Sequence, residues 1–410
     1  MRLLSLDQWL PADHRARLVW AYVKKLNLDS YYRELEVTAN SPGRSAIAPE
    51  ILVALWLLAT LERIGSGREL ARRCETDLGY LWILGGVTVN YHTLCDFRVR
   101  PDVEQLLVDT VAVLVDQELV PLDTIAQDGM RVRASAGSSS FRRKPTLEKL
   151  QAAAQEHVTG LREKAEQDAA GEDGKSRPQA AAERAARERQ ERIDEALRQH
   201  EELSQRREQR KQGDGEKTRV STTDPDARVM KMANGGYDPA YNVQFATDAA
   251  SRIIVAVEVT NAGTDANELS PMLEQIQQQY GRTPTEALVD SAYATRDSVT
   301  TAFQRGVNVI STVPRASELE QRGKDPHARQ PRDTDEYAVF RACMADPECQ
   351  ALYKTRPSIA EFPNADCRNR NLRQFRVRGL LKVKAVAIWH ALAFNFMRLM
   401  NLGLGEQQRA

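Results

Sequence analysis

The spacing of apolar residues divides the chain into three stretches of different rhythm. In residues 1–120 the segments LDQWLPADHRARLVWAYVKKL and PEILVALWLLATLERI repeat apolar positions every three or four residues, the period of helices with a buried face. The turn-forming run NSPGRSA separates them. Beyond Ile64, GSGRELARRCETDLGYLWILGG predicts two short helices with a glycine-bearing turn before each, the first capped by Ser66 with Glu69 as capping-box partner. Such a unit suits a helix-turn-helix reader of DNA or a plain bundle, and spacing alone favours the bundle.

From Thr146 to about Arg219 the chain turns charged and alanine-rich, as in AAAERAARERQERIDEALRQHEEL, with almost no aromatics. This predicts an exposed spacer, a solvated helix or helix pair interrupted at Gly171, Gly174 and Pro178. Ile193, Ala196, His200 and Leu203 mark a short heptad inside it. From Tyr241 the rhythm becomes α/β. NVQFATDA and RIIVAVEVT read as a hairpin, DANELSPMLEQIQQQYG as an amphipathic helix capped by Asp265, and EALVDSAY and VNVIST as further strands around a helix at 295–305. A loop from Pro314 to about Arg332 precedes closing helices that end in VKAVAIWHALAFNFMRLMNLG. With TIAQDGMRVRAS as the first strand, three strands followed by alternating helix and strand predict a mixed sheet with helices packed on it.

A length of 410 residues accommodates two or three domains. The 57 basic and 57 acidic residues cancel, so only local clustering can mark a polyanionic partner. Lys354 to Lys384 supplies such a cluster, nine Lys or Arg against Glu361 and Asp366, a local excess of seven. Five scattered cysteines without a Cys-x-x-Cys pair argue against a disulfide framework or zinc site and for a reducing compartment. The N-terminus lacks an apolar run of signal-peptide length, and the most apolar segment, Ile51 to Leu61, is too short to span a bilayer, so the expected location is cytoplasmic.

Three acids are candidates for chemistry, and each has an ordinary reading of its own. Asp128 precedes Gly129, and Asp-Gly between strand-like runs signals a hairpin turn. Asp290 follows the strand ALV, where a cap or turn residue is equally natural. Glu361 sits in YKTRPSIAEF, where exposed glutamates are common. Their joint placement says more: one acid on the first strand, one at the end of the fourth, one on a late helix. Converging carboxylates repel unless a cation sits among them, and hard oxygen donors suit magnesium or manganese. Two such ions about 4 Å apart can activate a water or a 3′-hydroxyl on one side of a phosphodiester and stabilise the leaving oxygen on the other. Pro357 and Pro363 flank Glu361, so its helix is kinked or starts at Pro357. Asp123 reads as a turn residue, Asp248 as a turn residue or an auxiliary acid with the turn favoured, and His390 as a core or capping histidine.

Several longer motifs carry a resemblance: QDGMRVRASAG around Asp128, DPDARVMKMANGGYDPAYNVQFATD, LVDSAYAT around Asp290, and YKTRPSIAEFPNADCRNRNLRQFRVRGLLKVKAVAIWHALAFNFMRLM at the end. Together they resemble the DDE transposases of bacterial insertion sequences that carry a helical N-terminal domain, over nearly the whole chain except the charged spacer. The resemblance implies an α/β fold, a ribonuclease-H-like mixed sheet with flanking helices, preceded by an all-helical domain. It places terminal-repeat recognition in residues 1–120 and catalysis in 121–402, with 144–222 as a charged helical insertion. It implies that Asp128, Asp290 and Glu361 are the catalytic triad and the ligands of two Mg²⁺ or Mn²⁺ ions. Tyr353, Arg356 and Arg368, with Arg370 and Arg373, would contact terminal DNA; Arg368 stands where the family often has lysine, which alters the geometry of a phosphate contact. The implied partners are the inverted terminal repeats, target DNA and a second copy of the chain in the DNA complex, in a bacterial cytoplasm and on the nucleoid when DNA-bound. The implied activity is metal-dependent cleavage at element ends with strand transfer. A ribonuclease-H-like nuclease that does not rejoin DNA, and a catalytically silent DNA-binding regulator, are the rival readings.

Overall fold

The computed structural model describes residues 5–38, 47–169 and 177–402; the expected turn NSPGRSA and the breaks at Gly171 and Gly174 lie outside them. Two helices, Pro49–Leu61 and Leu380–Asn401, are apolar on nearly every side and accordingly run through the interior. Trp56 on the first donates its indole N–H to the carbonyl of Leu94 at 2.8 Å, and Trp389 on the second donates to that of Arg98 at 3.0 Å. The Arg98 guanidinium lies 4.6 Å above the Trp56 ring, and Tyr22 meets Phe396 edge-on at 5.2 Å. This aromatic core joins the early helices to the α/β part. The chain therefore divides into Met1–Val132 with Asn242–Arg373 and Leu381–Ala410 as one compact unit, and Arg133–Tyr241 with Gln374–Leu380 as another, a division that does not follow a boundary at residue 120. Leu380–Asn401 is the one described helix long and apolar enough to cross a membrane, longer than the Ile51 to Leu61 segment, and 72% of its apolar window is buried as core.

Ser66 caps helix Gly67–Thr76 by accepting the amide of Glu69 at 3.4 Å, as its spacing predicts. The next helix, Leu78–Leu84, opens on Asp77 rather than on a glycine turn. Among the described residues eight strands follow: β1 (Thr124–Arg133), β2 (Phe141–Arg142), β3 (Val220–Ser221), β4 (Arg228–Lys231), β5 (Tyr237–Asp248), β6 (Ile254–Thr260), β7 (Glu286–Leu288) and β8 (Asn308–Ile310). The main sheet runs β4-β5-β1-β7-β8, with β6 also paired to β5. β5 and β6 are antiparallel, from Asn242↔Thr260 to Thr247↔Ile254, whereas β7 runs parallel to both β1 and β8. Helices Leu269–Tyr280 and Arg296–Gln304 make the crossovers. The result is a ribonuclease-H-like mixed sheet with flanking helices, in which β1, which carries Asp128, neighbours β7, which ends two residues before Asp290.

Three local expectations need correction. Asp265 does not cap the helix after β6, which begins at Leu269 with Glu268 in the cap position. The stretch after Pro314 holds a short helix, Ala316–Gln321. Cys343 and Cys349 form a disulfide, because the turn between Asp335–Cys343 and Pro347–Tyr353 brings their Cα atoms to 6.2 Å.

In the second unit the charged stretch forms two helices, Lys144–Ala169 and Arg177–Arg210, with a small core of Leu147, Ala196 and Val220 against which Leu197 and Leu203 pack. Ile193 and His200 are buried too, so the short heptad is a packing seam and the remaining faces are solvated. In the same unit Asp224 accepts from the Tyr241 hydroxyl at 2.7 Å and the Gly379 amide at 3.1 Å, which ties in the 374–380 segment.

His390 lies inside Leu380–Asn401, and burial, with Arg98 and Arg370 nearby, lowers its pKa to about 3. An unfolded histidine takes a proton below about pH 6.5 and the folded one does not. Stability is therefore intact above about pH 6.5 and is lost as pH falls toward 3, at up to about 1.4 kcal/mol per pH unit. Urea unfolding of His390→Gln should show a shallower loss between about pH 6.5 and 5 than wild type; parallel curves would remove the histidine as a source.

Candidate active site

Successive residues of β1 alternate between faces, so Gln127, Gly129 and Arg131 lie on one side and Asp128 and Met130 on the other. Asp128 is only half-buried, and both its oxygens accept hydrogen bonds: from Arg356 Nη2 at 3.0 Å and from Asn364 Nδ2 at 2.8 Å. Burial pushes its pKa up, opposed by the guanidinium and the amide. Arg356 is itself 7% exposed, and its Nη1 lies 3.8 Å from Glu361 Oε1, so one guanidinium faces two of the three acids.

The third acid is placed by the sheet. β1 and β7 pair in parallel up to Ala126↔Leu288, and Asp128 and Asp290 each lie two residues beyond that pair. Beyond that pair Val289 is bonded on its other side, its amide donating to the Ile310 carbonyl of β8 at 3.1 Å. Asp290 therefore follows the C-terminal end of β7, next to the strand that carries Asp128. Asp290 is exposed, and its Oδ1 accepts the amide of Ser291 at 2.6 Å.

Glu361 ends a π-helical turn, Pro357–Glu361, that continues into the α-helix Phe362–Asn369. Both flanking prolines fall in a first turn, where a missing N–H leaves no bond unmade, so the expected kink takes the form of one wide turn at Glu361. The Glu361 side chain is 61% exposed. Asn364, three residues on and buried, is a site residue that acid-by-acid reading passes over; its signal is the i, i+3 spacing that puts it on the face of Glu361.

These donors are all oxygen, and Asn364 Oδ1 adds a buried oxygen with no hydrogen-bond partner beside Asp128. That chemistry fits a hard divalent cation. Among the described residues no three His, Cys, Asp or Glu side chains stand close enough to hold one ion; positive charge between Asp128 and Glu361 comes from Arg356.

The other predicted residues are placed as follows. Tyr353 ends helix Pro347–Tyr353 and is half-buried. Arg356 is turned inward to the acids, away from the solvent a DNA contact needs. Arg370 is paired with Asp366 at 2.6 Å, whereas Arg368 and Arg373 are exposed, with Arg373 Nε donating to the Arg368 carbonyl at 3.2 Å. Lys384 is held between Glu104 at 3.0 Å and Glu258 at 2.9 Å. Arg356, Arg370 and Lys384 are thus matched internally, which shrinks the excess of seven that the sequence presents to a polyanion.

Two family models match the chain in order, a Transposase domain (DUF772) over residues 4–100 and a Transposase DDE domain over residues 214–396. The chain belongs to the DDE transposases. No curated protein and no solved structure matches it. In this transposase Asp290, Glu361 and the residues from Tyr353 to Arg373 fall inside the DDE match, while Asp128 lies between the two matched spans. The link from Asp128 to the other acids is physical: the β1–β7 register and the shared Arg356.

Asp128-Gly129 is not a turn. A Cβ at Gly129 would stand 2.3 Å from Gln244 Nε2, 2.7 Å from Asp265 Oδ1 and 2.9 Å from Asn242 Oδ1, so glycine is what lets this polar group reach the strand. Gly129→Ala should lower unfolding stability by about 1–3 kcal/mol in urea titration. Gly137→Ala, whose nearest neighbour is Ser139 Oγ at 3.6 Å, should change it far less. Equal midpoints for the two variants would contradict close packing at Gly129.

Proposed function

We propose that this transposase cuts DNA at the ends of its element and joins the freed 3′ ends to target DNA, using Asp128, Asp290 and Glu361 as ligands for Mg²⁺ or Mn²⁺, two ions being expected. The observation that supports the reading is the parallel β1–β7 register, with Asp128 on β1 and Asp290 two residues past the end of the neighbouring β7, and with Glu361 facing the Arg356 that also holds Asp128. When bound, such ions supply Lewis acidity to a phosphodiester and to its attacking oxygen.

The chain's own residues prepare that site. Arg356 lets Asp128 and Glu361 approach one another by offsetting their charge, and Asn364 fixes the second oxygen of Asp128. Arg368 and Arg373, exposed on the same segment, can take backbone phosphates. Water displaces the 3′ oxygen from phosphorus at an element end. The released 3′-hydroxyl then attacks a target phosphorus and displaces the target's own 3′ oxygen, so no covalent protein intermediate is required. The helices within residues 5–98 would read the terminal repeats, and joining two ends calls for a homodimer on DNA.

The test is cleavage of a plasmid carrying the element's ends by purified protein with Mn²⁺ or Mg²⁺. Asp128→Asn, Asp290→Asn and Glu361→Gln should each cut the rate by on the order of 10³-fold or more while leaving DNA binding intact. Wild-type nicking without strand transfer would point to a nuclease. End binding without any cleavage would point to a regulator of transposition.

A further inference from the structure

We infer that Asp265 is a positioning residue for the active site, holding the strand end that carries Asp128 and, through Gln244, the turn that carries Asp290. The inference rests on the proposed role of these two aspartates. Asp265 is 9% exposed and lies on the face of β1 opposite to Asp128. Its Oδ1 accepts from Asn242 Nδ2 at 2.6 Å and Gln244 Nε2 at 2.8 Å, and its Oδ2 from Arg131 Nη2 at 3.1 Å. Asn242 and Gln244 share a face of β5 as Gly129 and Arg131 share one of β1, so one carboxylate holds β5 at two positions and β1 at Arg131, beside Gly129.

Gln244 carries the grip onward. Its Oε1 accepts from Gln127 Nε2 at 3.0 Å and from the Tyr293 hydroxyl at 2.6 Å. Tyr293 follows Asp290 by three residues, and its amide donates to the Asp290 carbonyl at 3.0 Å. Burial, then Asp265 and Asp128, push the Tyr293 phenol above its ordinary pKa, which keeps it a hydrogen-bond donor. A buried charge is a costly way to fill space, and an apolar side chain would pack strands without it. What a carboxylate adds is direction: each donor must point at one place, which sets the two strand ends relative to each other.

The experiment uses the full-length protein and titrates Mn²⁺ by calorimetry, alongside end-cleavage kinetics and DNA affinity. Asp265→Asn turns one acceptor into a donor facing donors. It should weaken Mn²⁺ binding by about tenfold or more and lower kcat with DNA affinity unchanged. Asp333→Asn is the control: Asp333 is equally buried, paired with Arg341 at 2.7 Å and Arg296 at 3.2 Å, and hydrogen-bonded to none of Asn242, Gln244, Arg131 and Tyr293, so it should lower the melting temperature and leave Mn²⁺ affinity and kcat as they are. Arg131→Gln, at a half-exposed position, should reproduce the loss in weaker form and covers the case in which Asp265→Asn does not fold. Mn²⁺ affinity within twofold of wild type in both Asp265→Asn and Arg131→Gln, or an equal loss in Asp333→Asn, would overturn the inference. Asp128→Asn run beside them separates the two levels. If it abolishes Mn²⁺ binding while Asp265→Asn does not, only the role of Asp265 falls; if it binds Mn²⁺ normally, the active-site reading falls and takes Asp265 with it.

Discussion

Asp128 and Glu361 meet at a single buried guanidinium, and much of the site is organised around that fact. Carboxylates brought together repel, and Asp128 pays additional desolvation because it stands on a central strand. Arg356 supplies the opposite charge at 3.0 Å and 3.8 Å, from a position that is itself almost closed to water. Removing Asp128 would leave the buried guanidinium without its nearer partner, whereas Glu361, 61% exposed at 3.8 Å, contributes little to holding it. The arginine is therefore part of the fold before it can be part of any chemistry. The wide turn at Pro357–Glu361 follows directly after it, so the backbone that seats Arg356 also presents Glu361 outward.

Strand β1 carries a second constraint. A central strand covered on both faces usually reads as a continuous apolar run. Here the sequence changes at Gln127-Asp128-Gly129, and each face receives its own polar partners: Arg356 and Asn364 on one, Gln244, Asn242 and Asp265 on the other. The apolar residues before it, Ile125 and Ala126, anchor the strand in the parallel ladder with β7. Local rules of strand composition are broken where the parallel ladder with β7 ends.

Periodicity made much of the architecture readable. Helical spacing located Pro49–Leu61 and the Ser66 cap, and alternation located the β5–β6 hairpin, because those signals are local. The site depends on contacts that no window contains. Asp128 and Arg356 are 228 residues apart, so their pairing appears only once the sheet is formed. Asp265 looked like a helix cap because it stands ahead of an amphipathic run, yet its carboxylate is taken up by β1 and β5 and Glu268 occupies the cap position. YNVQF did contain a signal, since Asn242 and Gln244 put polar groups at period two into a buried strand. The division of the chain was hidden for a similar reason: Trp56, Arg98 and Trp389 join helices that lie hundreds of residues apart.

A net charge of zero is compatible with a DNA enzyme because of where the charges are matched. The long helices of the second unit neutralise themselves, as Arg198 does with Glu195 and Glu202 one turn away on either side. Within 354–384, Arg356, Arg370 and Lys384 are taken up by neighbouring acids. What remains outward there is Lys354, Arg368, Arg373, Arg376, Arg378 and Lys382. Exposed charges act over only about 8 Å at physiological salt, so these six side chains would act on a polyanion mainly at contact, and their reach falls as salt is raised.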